Sequence, residues 1–159
     1  MKRSIKSLLA TLVVSLSLAA PVLAGPWEDA EDTYIRKDYA TAMRLMRPLA
    51  EQGQTNAQFS IGIMYAIGKG VRQDYVEAVK WFRKAAEQGD ASAQNSLGSM
   101  YLNGYGVLQD FVEAHKWFNL AAARGNKHAE KNRVTVSIAM THTQIAEAQR
   151  LAREWKPKK

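Results

Sequence analysis

The chain contains no cysteine. Without thiols it can form neither a disulfide framework nor a thiolate nucleophile, and it has no cysteine that could be acylated behind a leader peptide to make a lipoprotein. It also lacks an apolar run of the roughly 20 residues that a membrane-spanning helix needs. These absences exclude thiol chemistry and disulfide scaffolds, and they argue against an integral membrane protein.

The common motifs of hydrolytic and metal-dependent enzymes are missing as well. His115, His128 and His142 lie 13 and 14 residues apart, whereas a helical zinc site needs two ligands at i and i+4. No serine after residue 24 lies in a Ser-x-x-Lys or Gly-x-Ser-x-Gly setting. We therefore predict a non-catalytic protein with no metal site and no cofactor.

The N-terminus has the pattern of a secretory signal. Three basic residues precede an apolar run over 8–20, and Val22 and Ala24 stand at the positions that a signal peptidase reads. We predict that residues 1–24 are a cleaved signal peptide, that the mature chain begins at Gly25, and that the protein is periplasmic. An uncleaved anchor is the alternative, disfavoured because the run is short and ends at Pro21.

The charge does not indicate a nucleic-acid partner. The formal net charge is +7, from 22 basic and 15 acidic residues, and three of the basic residues lie in the predicted signal. The others alternate with acidic residues instead of forming a basic stripe. About 135 residues remain after cleavage, which suffices for one domain with a buried core and no membrane span.

A 36-residue repeat organises the rest of the chain. Residues 50–85 and 86–121 are identical at 22 of 36 aligned positions, and fainter copies lie on both sides. We predict one repeat domain over 25–155 and a basic tail over 156–159. Within the domain we expect a partial repeat at 27–49, repeats at 50–85 and 86–121, and a divergent repeat with a cap helix at 122–155.

Each unit has the sequence pattern of two helices joined by a turn. Asp90 can cap a first helix over about 91–103, and the glycine-containing segment 104–108 makes the turn. Asp110 and Glu113 then form a capping box for the second helix, so these carboxylates are interpreted as helix caps and not as a catalytic pair.

The repeated glycine and aromatic residues indicate packing. Gly62 and Gly98 lie inside first helices, where glycine costs about 1 kcal/mol relative to alanine. We expect a neighbouring helix to approach closely at both positions. The four large aromatic residues that recur at the repeat period are predicted to fill the core between helices; they are Trp81, Phe82, Trp117 and Phe118.

The motif Leu-Gly-x-Met-Tyr-x-x-Gly-x-Gly-Val-x-x-Asp, which begins at Leu97, resembles the Sel-1-like repeat (SLR), a relative of the tetratricopeptide repeat. The resemblance covers 50–121 fully and extends in partial form from Trp27 to Trp155. It implies an all-α fold, a right-handed α-solenoid with N- and C-terminal capping helices. The glycine turn is missing after Gly125, so we expect the third unit to close differently, with Thr141 and Gln144 capping the last helix.

Because the shared residues are explained by stacking, we expect function where the units differ. By similarity to tetratricopeptide proteins, one face of the first helices would line a concave groove for a partner; an idle solvent face is the alternative. The predicted groove residues are Asn56, Phe59, Ile63 and Ile67 in the first full unit, Ser92, Asn95, Ser99 and Asn103 in the second, and His128, Lys131 and Thr135 in the third.

Two expectations follow for the surfaces of the array. Either a ligand or the N-terminal helices should cover the apolar stripe in the first unit, namely Phe59, Ile63 and Ile67. The positions that differ between the second helices should look outward on the convex side; they are Val79 and Arg83, which become His115 and Asn119.

The resemblance implies a protein-binding module whose partner is another periplasmic or envelope protein. Binding or modification of a peptidoglycan glycan or peptide is the alternative, suggested by the basic end of the groove at His128 and Lys131. Cysteine-rich relatives are linked to β-lactam binding or hydrolysis, which we do not expect here because both the cysteines and a serine motif are absent.

Overall fold

The computed structural model describes residues 25–158, so the predicted signal peptide lies outside the described residues. This part of the chain consists of helices and turns without a strand, which confirms the all-α prediction. The helices are α1 (Pro26–Ile35), α2 (Tyr39–Glu51), α3 (Thr55–Ile67), α4 (Tyr75–Glu87), α5 (Ala91–Asn103), α6 (Phe111–Ala123), α7 (Lys127–Ser137) and α8 (His142–Glu154). None of these helices is long and apolar enough to cross a membrane.

Aspartate caps set the starts of the repeated helices. The carboxylates of Asp74, Asp90 and Asp110 accept hydrogen bonds from backbone N–H groups of the first turn, as predicted. The second half of the predicted capping box is wrong. Glu113 instead accepts from Lys116 and from Trp117 Nε1, at 2.7 and 3.0 Å.

The backbone of the turn explains that difference. The N–H of Asp110 donates to the carbonyl of Tyr101 at 3.0 Å, and the N–H of Asp74 donates to Tyr65 at the same distance. Since these amides already have acceptors, the carboxylate of Glu113 has no free N–H to cap. Glu113 instead accepts the hydrogen bond from Trp117, one turn further along α6, and so orients its ring.

Glycine allows the two helices of a unit to touch. A Cβ built on Gly62 would lie 2.6 Å from Phe82 Cδ1, and one on Gly98 would lie 2.7 Å from Phe118 Cε1. Both distances are shorter than any normal carbon contact, so a larger side chain cannot be accommodated without movement of the helix. The predicted close approach is confirmed.

The units stack through a continuous core. The second helices α2, α4 and α6 each pack on the first helix of their own unit and on the first helix of the next unit, in the order α2 on α3, α4 on α5, and α6 on α7. Trp81, Phe82, Trp117 and Phe118 are at most 5% exposed, so their predicted core role is confirmed. This arrangement is the α-solenoid that the sequence predicted.

The predicted outward face of the second helices is wrong. Val79 and His115 are only 5% and 3% exposed. Arg83 donates to the hydroxyl of Tyr101 in the next first helix at 2.6 Å, and Asn119 accepts from Arg133 at 2.8 Å. These positions face the neighbouring unit because a second helix is enclosed by first helices on two sides.

The third unit closes differently from the others, as expected. Thr141 and Gln144 form the predicted capping box at the start of α8. However, α8 packs on α6 and makes almost no contact with α7. Its Trp155 ring meets the Trp117 ring edge-on at 6.3 Å, and the backbone N–H of Lys158 donates to Glu87 O at 2.7 Å.

Candidate functional site

The face where the units differ lies along α3, α5 and α7, the first helices of three successive units. Asn132 Nδ2 donates to Asn95 Oδ1 at 3.0 Å, which joins α7 to α5 through this face. Seven of the predicted groove residues are exposed and four are half-buried. The exposed residues are Asn56, Ile67, Ser92, Asn103, His128, Lys131 and Thr135, and the half-buried ones are Phe59, Ile63, Asn95 and Ser99.

The apolar stripe on α3 is not covered by the N-terminal helices. Phe59 and Ile63 pack against the core formed by α4, α5 and α6, and the Phe59 ring centre lies 5.8 Å from that of Phe82. The N-terminal core, built from α1, α2 and α3, instead holds Trp27 and Tyr34 at its border. Ile67, at the end of the stripe, is 50% exposed. Phe59 and Ile63 therefore pack against the next unit, while Ile67 stays half exposed to solvent.

The polar middle of the face is bonded within its own helix. Ser99 Oγ donates to the Asn95 carbonyl at 3.1 Å, and Asn103 Nδ2 donates to the Ser99 carbonyl at 2.8 Å. In the next unit Thr135 Oγ1 donates to Lys131 in the same way at 3.1 Å. With their donors occupied, these side chains offer mainly acceptor oxygens to a ligand and carry no activated nucleophile.

The basic end of the face lies on α7. His128 and Lys131 are exposed there. A shallow cavity of about 510 Å³ adjoins them and is lined by Lys127, Glu130, Lys131 and Val134. The surface thus changes along the array from apolar on α3, through polar on α5, to mixed basic and apolar on α7.

The titratable groups of this face, within the described residues, are not gathered into a metal-binding cluster. Within residues 25–158 no group of three or more His, Asp or Glu side chains could hold a metal ion. The buried histidine, His115, lies on α6 against α7, away from the groove. Burial, and to a smaller extent the charge of Arg133, lowers the pKa of His115 below its usual 6.5. The arrangement is suited to binding a chain segment through apolar contact and hydrogen bonds.

Two features that sequence reasoning did not single out become visible in the structure. Arg47 donates to the Tyr65 hydroxyl at 2.8 Å as Arg83 does to Tyr101, so an arginine–tyrosine pair clamps successive units. Both residues recur at the repeat period, which could have revealed the pair. Val134 occupies the position of Gly62 and Gly98 and is 58% exposed. The loss of glycine there matches the position of α8, the second helix of this unit, which does not pack on α7.

Comparisons with solved structures agree with this architecture. A protective antigen of uropathogenic Escherichia coli strains that displays an SLR fold is 34% identical, with a TM-score of 0.77 over 82% of this chain and 29% of the antigen. A Sel1 repeat protein from Oxalobacter formigenes is 32% identical, with a TM-score of 0.66 over 80% of this chain and 55% of that protein. The chain therefore spans about a third and about half of the length of these two relatives. No curated protein matches the sequence.

The family comparison agrees with the repeat period. The model of the Sel1 repeat matches residues 30–54, 55–90 and 91–126, so each full match holds one pair of helices, α3 with α4 and α5 with α6. These matches cover more than half of the chain. Sel1 repeats generally serve as protein-interaction modules and are typically non-catalytic. The chain belongs to the Sel1 repeat family.

Proposed function

We propose that the protein is exported to the periplasm and acts there as a non-catalytic module that binds another envelope protein along the face of α3, α5 and α7. The general role of Sel1 repeats in protein interaction supports a protein partner. The packing of the repeated residues supports this face as the binding surface. Caps, glycines and large aromatic residues already make contacts within the fold, so the face where the units differ remains available for recognition.

The apolar stripe carries the proposal. Ile67 is half exposed and Ile63 is half-buried beside it, while the corresponding positions in the next unit are Asn103 and Ser99. A partner that lays an apolar side chain on the stripe and a polar one on α5 would match both units. Anchor residues of an interface lie where surrounding contacts exclude water, and the packing of Ile63 against the core of the next unit shelters it in this way.

The test replaces Ile63 and Ile67 with Ser and Asn, the residues at the corresponding positions of the second unit. In the variant Ile63→Ser/Ile67→Asn, Phe59 stays in place to preserve its contact with Phe82. The matched control is Val76→Ser, since Val76 is 51% exposed on α4, outside the groove. Each immobilised protein would be used to capture partners from an envelope extract of the native host, and the captured protein would be titrated.

We expect the wild type and the control to retain one partner and the stripe variant to lose about 2 kcal/mol of binding free energy. Circular dichroism should show the same helicity in all three proteins. A folded stripe variant that binds the captured protein as tightly as the wild type would disprove the proposed face.

Export has a separate test. The signal pattern predicts that protein released from the periplasm by osmotic shock begins at Gly25, because Val22 and Ala24 are the residues that suit the peptidase. N-terminal sequencing reads this directly. A full-length chain that starts at Met1 and stays with the membrane fraction would contradict cleavage and support the anchor.

The exposed basic residues His128 and Lys131 favour peptidoglycan as a second candidate ligand. Cosedimentation with purified cell wall separates the two candidates. A cell-wall ligand predicts that the protein pellets with the wall and that His128→Ala/Lys131→Ala abolishes this, while the stripe variant pellets normally. A protein partner predicts no pelleting in any variant.

A further inference from the structure

The first helix of the third unit, α7, has a face that none of the helices within residues 25–158 covers. In α3 and α5 this face carries Gly62 and Gly98 and receives the second helix of the same unit. On α7 the equivalent residue Val134 is 58% exposed, and Ile138, one turn further on, is 84% exposed. The face is open because α8 packs on α6. Val134 and Ile138 therefore form a short apolar stripe that is exposed to solvent.

The same face of α7 is basic at its other end. Lys127 and Lys131 precede Val134 at helical spacing, and all three border the shallow cavity on this helix. Glu130 is the only acidic residue of the helix. The open face therefore runs from two lysines, with Glu130 beside them in the lining of the cavity, to two aliphatic residues, opposite the buried Ala129 and Val136.

At the other end of the array, α1 has the opposite charge in the same pattern. Its sequence carries four acidic residues, Glu28, Asp29, Glu31 and Asp32, and no basic one, and all four are exposed. Glu28 and Asp32 precede Ile35, which is 71% exposed. The ion pair of Asp32 with Arg36 is itself solvent-exposed and therefore weak.

The two faces match in register. Glu28, Asp32 and Ile35 stand at i, i+4 and i+7, and so do Lys127, Lys131 and Val134. If the helices lie side by side in the same direction, each carboxylate faces an ammonium group and the two apolar residues meet. Within one chain these helices are at opposite ends of the stack, so only a second copy can bring them together.

We propose that copies of this protein associate head to tail, with α1 of one copy on the open face of α7 of the next. Such a contact is heterologous, so every open assembly keeps a free α1 face at one end and a free α7 face at the other, and chains longer than a dimer can form. The charged half guides the encounter and fixes the register, and the apolar half excludes water. The contact shares Lys131 with the partner-binding face proposed above, but it does not depend on that function.

Charge reversal tests the proposal in solution. Sedimentation of the mature chain, in a series up to about 1 mM, should show average masses that rise past the dimer. Raising the salt from about 0.1 M to 1 M shortens the Debye length from about 10 Å to about 3 Å and should weaken association. Glu28→Lys/Asp32→Lys and Lys127→Glu/Lys131→Glu should each raise the apparent dissociation constant about tenfold or more.

Mixing the two reversed proteins is the decisive arm. Every junction between one copy of each protein again pairs opposite charges, so the mixture should form alternating chains and association should return close to the level of the wild type. The control Arg153→Glu/Lys156→Glu makes the same change of charge on and beyond α8 and should leave association unchanged. A wild type that stays monomeric at about 1 mM, or a mixture that does not recover, overturns the proposal.

Cysteine cross-linking gives a readout that does not depend on charge. Because the chain has no cysteine, single cysteines can be placed at will. An Ile35→Cys protein mixed with a Val134→Cys protein should form the mixed disulfide about tenfold faster than Ile35→Cys mixed with Val76→Cys, since Val76 is equally exposed but on α4. Equal rates for the two mixtures would also overturn the proposal.

Discussion

The second and third units begin alike and end differently. Both open with a capped first helix, α5 from Asp90 and α7 from Asn126, and both first helices pack on the preceding second helix. In the second unit α6 then folds against α5 at Gly98. In the third unit α8 leaves α7 and returns over α6, where Trp155 meets Trp117.

Single residues account for this difference. Gly98 leaves room for the Phe118 ring, since a Cβ at this position would lie only 2.7 Å from Phe118 Cε1. Val134 offers no such space, and the glycine turn that would reverse the chain is also absent. The array can thus end where the glycine inside the first helix and the glycine turn after it are both lost. The helix α7 remains folded because its other side still packs on α6.

The largest effect should come from filling the space at Gly98. We expect Gly98→Leu to lower the free energy of unfolding by about 3 kcal/mol, because the new side chain would overlap Phe118 and approach the Ala114 carbonyl. Val134→Leu at the equivalent position should change it by less than about 0.5 kcal/mol. Urea denaturation of both variants measures the contrast, and similar losses would refute the different roles of the two positions.

Removing the ring that fastens α8 should have the next largest effect. Trp155 covers Trp117, and the guanidinium group of Arg124 lies 4.9 Å from the Trp155 ring centre. Trp155→Ala should cost about 2 kcal/mol, less than a fully buried aromatic residue would. Lys156→Ala, next to it and exposed, serves as the control. If thermal unfolding gives the two variants the same midpoint, α8 is not held by this contact.

The interface between α6 and α7 should be sensitive to acid. His115 is buried there, and burial together with Arg133 lowers the pKa of His115 in the folded state. His115 therefore binds a proton more readily in the unfolded chain than in the folded one. Its contribution to the free energy of unfolding is fully present above about pH 6.5 and is lost as the pH drops below that value.

The variant His115→Val isolates this effect, because Val79 fills the equivalent place in the first unit and is 5% exposed. We expect it to remove part of the loss of stability between pH 7 and 5, as measured by urea denaturation at each pH. A variant whose stability falls with acid as steeply as that of the wild type would show that His115 does not titrate on unfolding.

The smallest expected effect concerns the helix caps. Asp90 caps Ala93 N–H at 2.6 Å, whereas its counterpart Gln54 makes no side-chain cap. Gln54→Asp should therefore stabilise the protein by about 0.5 to 1 kcal/mol, and Asp90→Gln should destabilise it by a similar amount. Thermal unfolding of the pair would show shifts of opposite sign, and shifts of the same sign would contradict the assignment.

The repeat itself made most of the fold predictable. Asp110, Gly98 and Trp117 recur with their spacing intact as Asp74, Gly62 and Trp81, so most of the cap and core positions in the two full repeats have an internal copy to confirm them. The surfaces of the second helices were misjudged, because Val79 and His115 differ between units yet are buried by the next first helix. A position that varies between units does not need one particular neighbouring residue, but it can still be buried. Variation alone therefore does not distinguish exposed from buried positions.

The path of α8 could not be predicted for a related reason. The capping box at Thr141 defines where the helix begins but says nothing of its neighbour. The pairing of Trp155 with Trp117 and of Lys158 with Glu87 joins residues far apart in sequence that have no repeated copy. The candidate groove was predictable as a face of α3, α5 and α7, but the contact of Phe59 with Phe82 was not, since it depends on the angle between helices.

Paired cysteines in the cysteine-free chain test most directly whether α8 ends the array by returning over α6. If α8 followed the regular pattern, Glu154 would stand against Val134 as Phe118 stands against Gly98. The structure instead brings Lys158 to Glu87, with N–H to carbonyl oxygen at 2.7 Å. We predict that Glu87→Cys/Lys158→Cys forms an intramolecular disulfide readily and that Val134→Cys/Glu154→Cys does not. A disulfide in the second pair and none in the first would contradict the account.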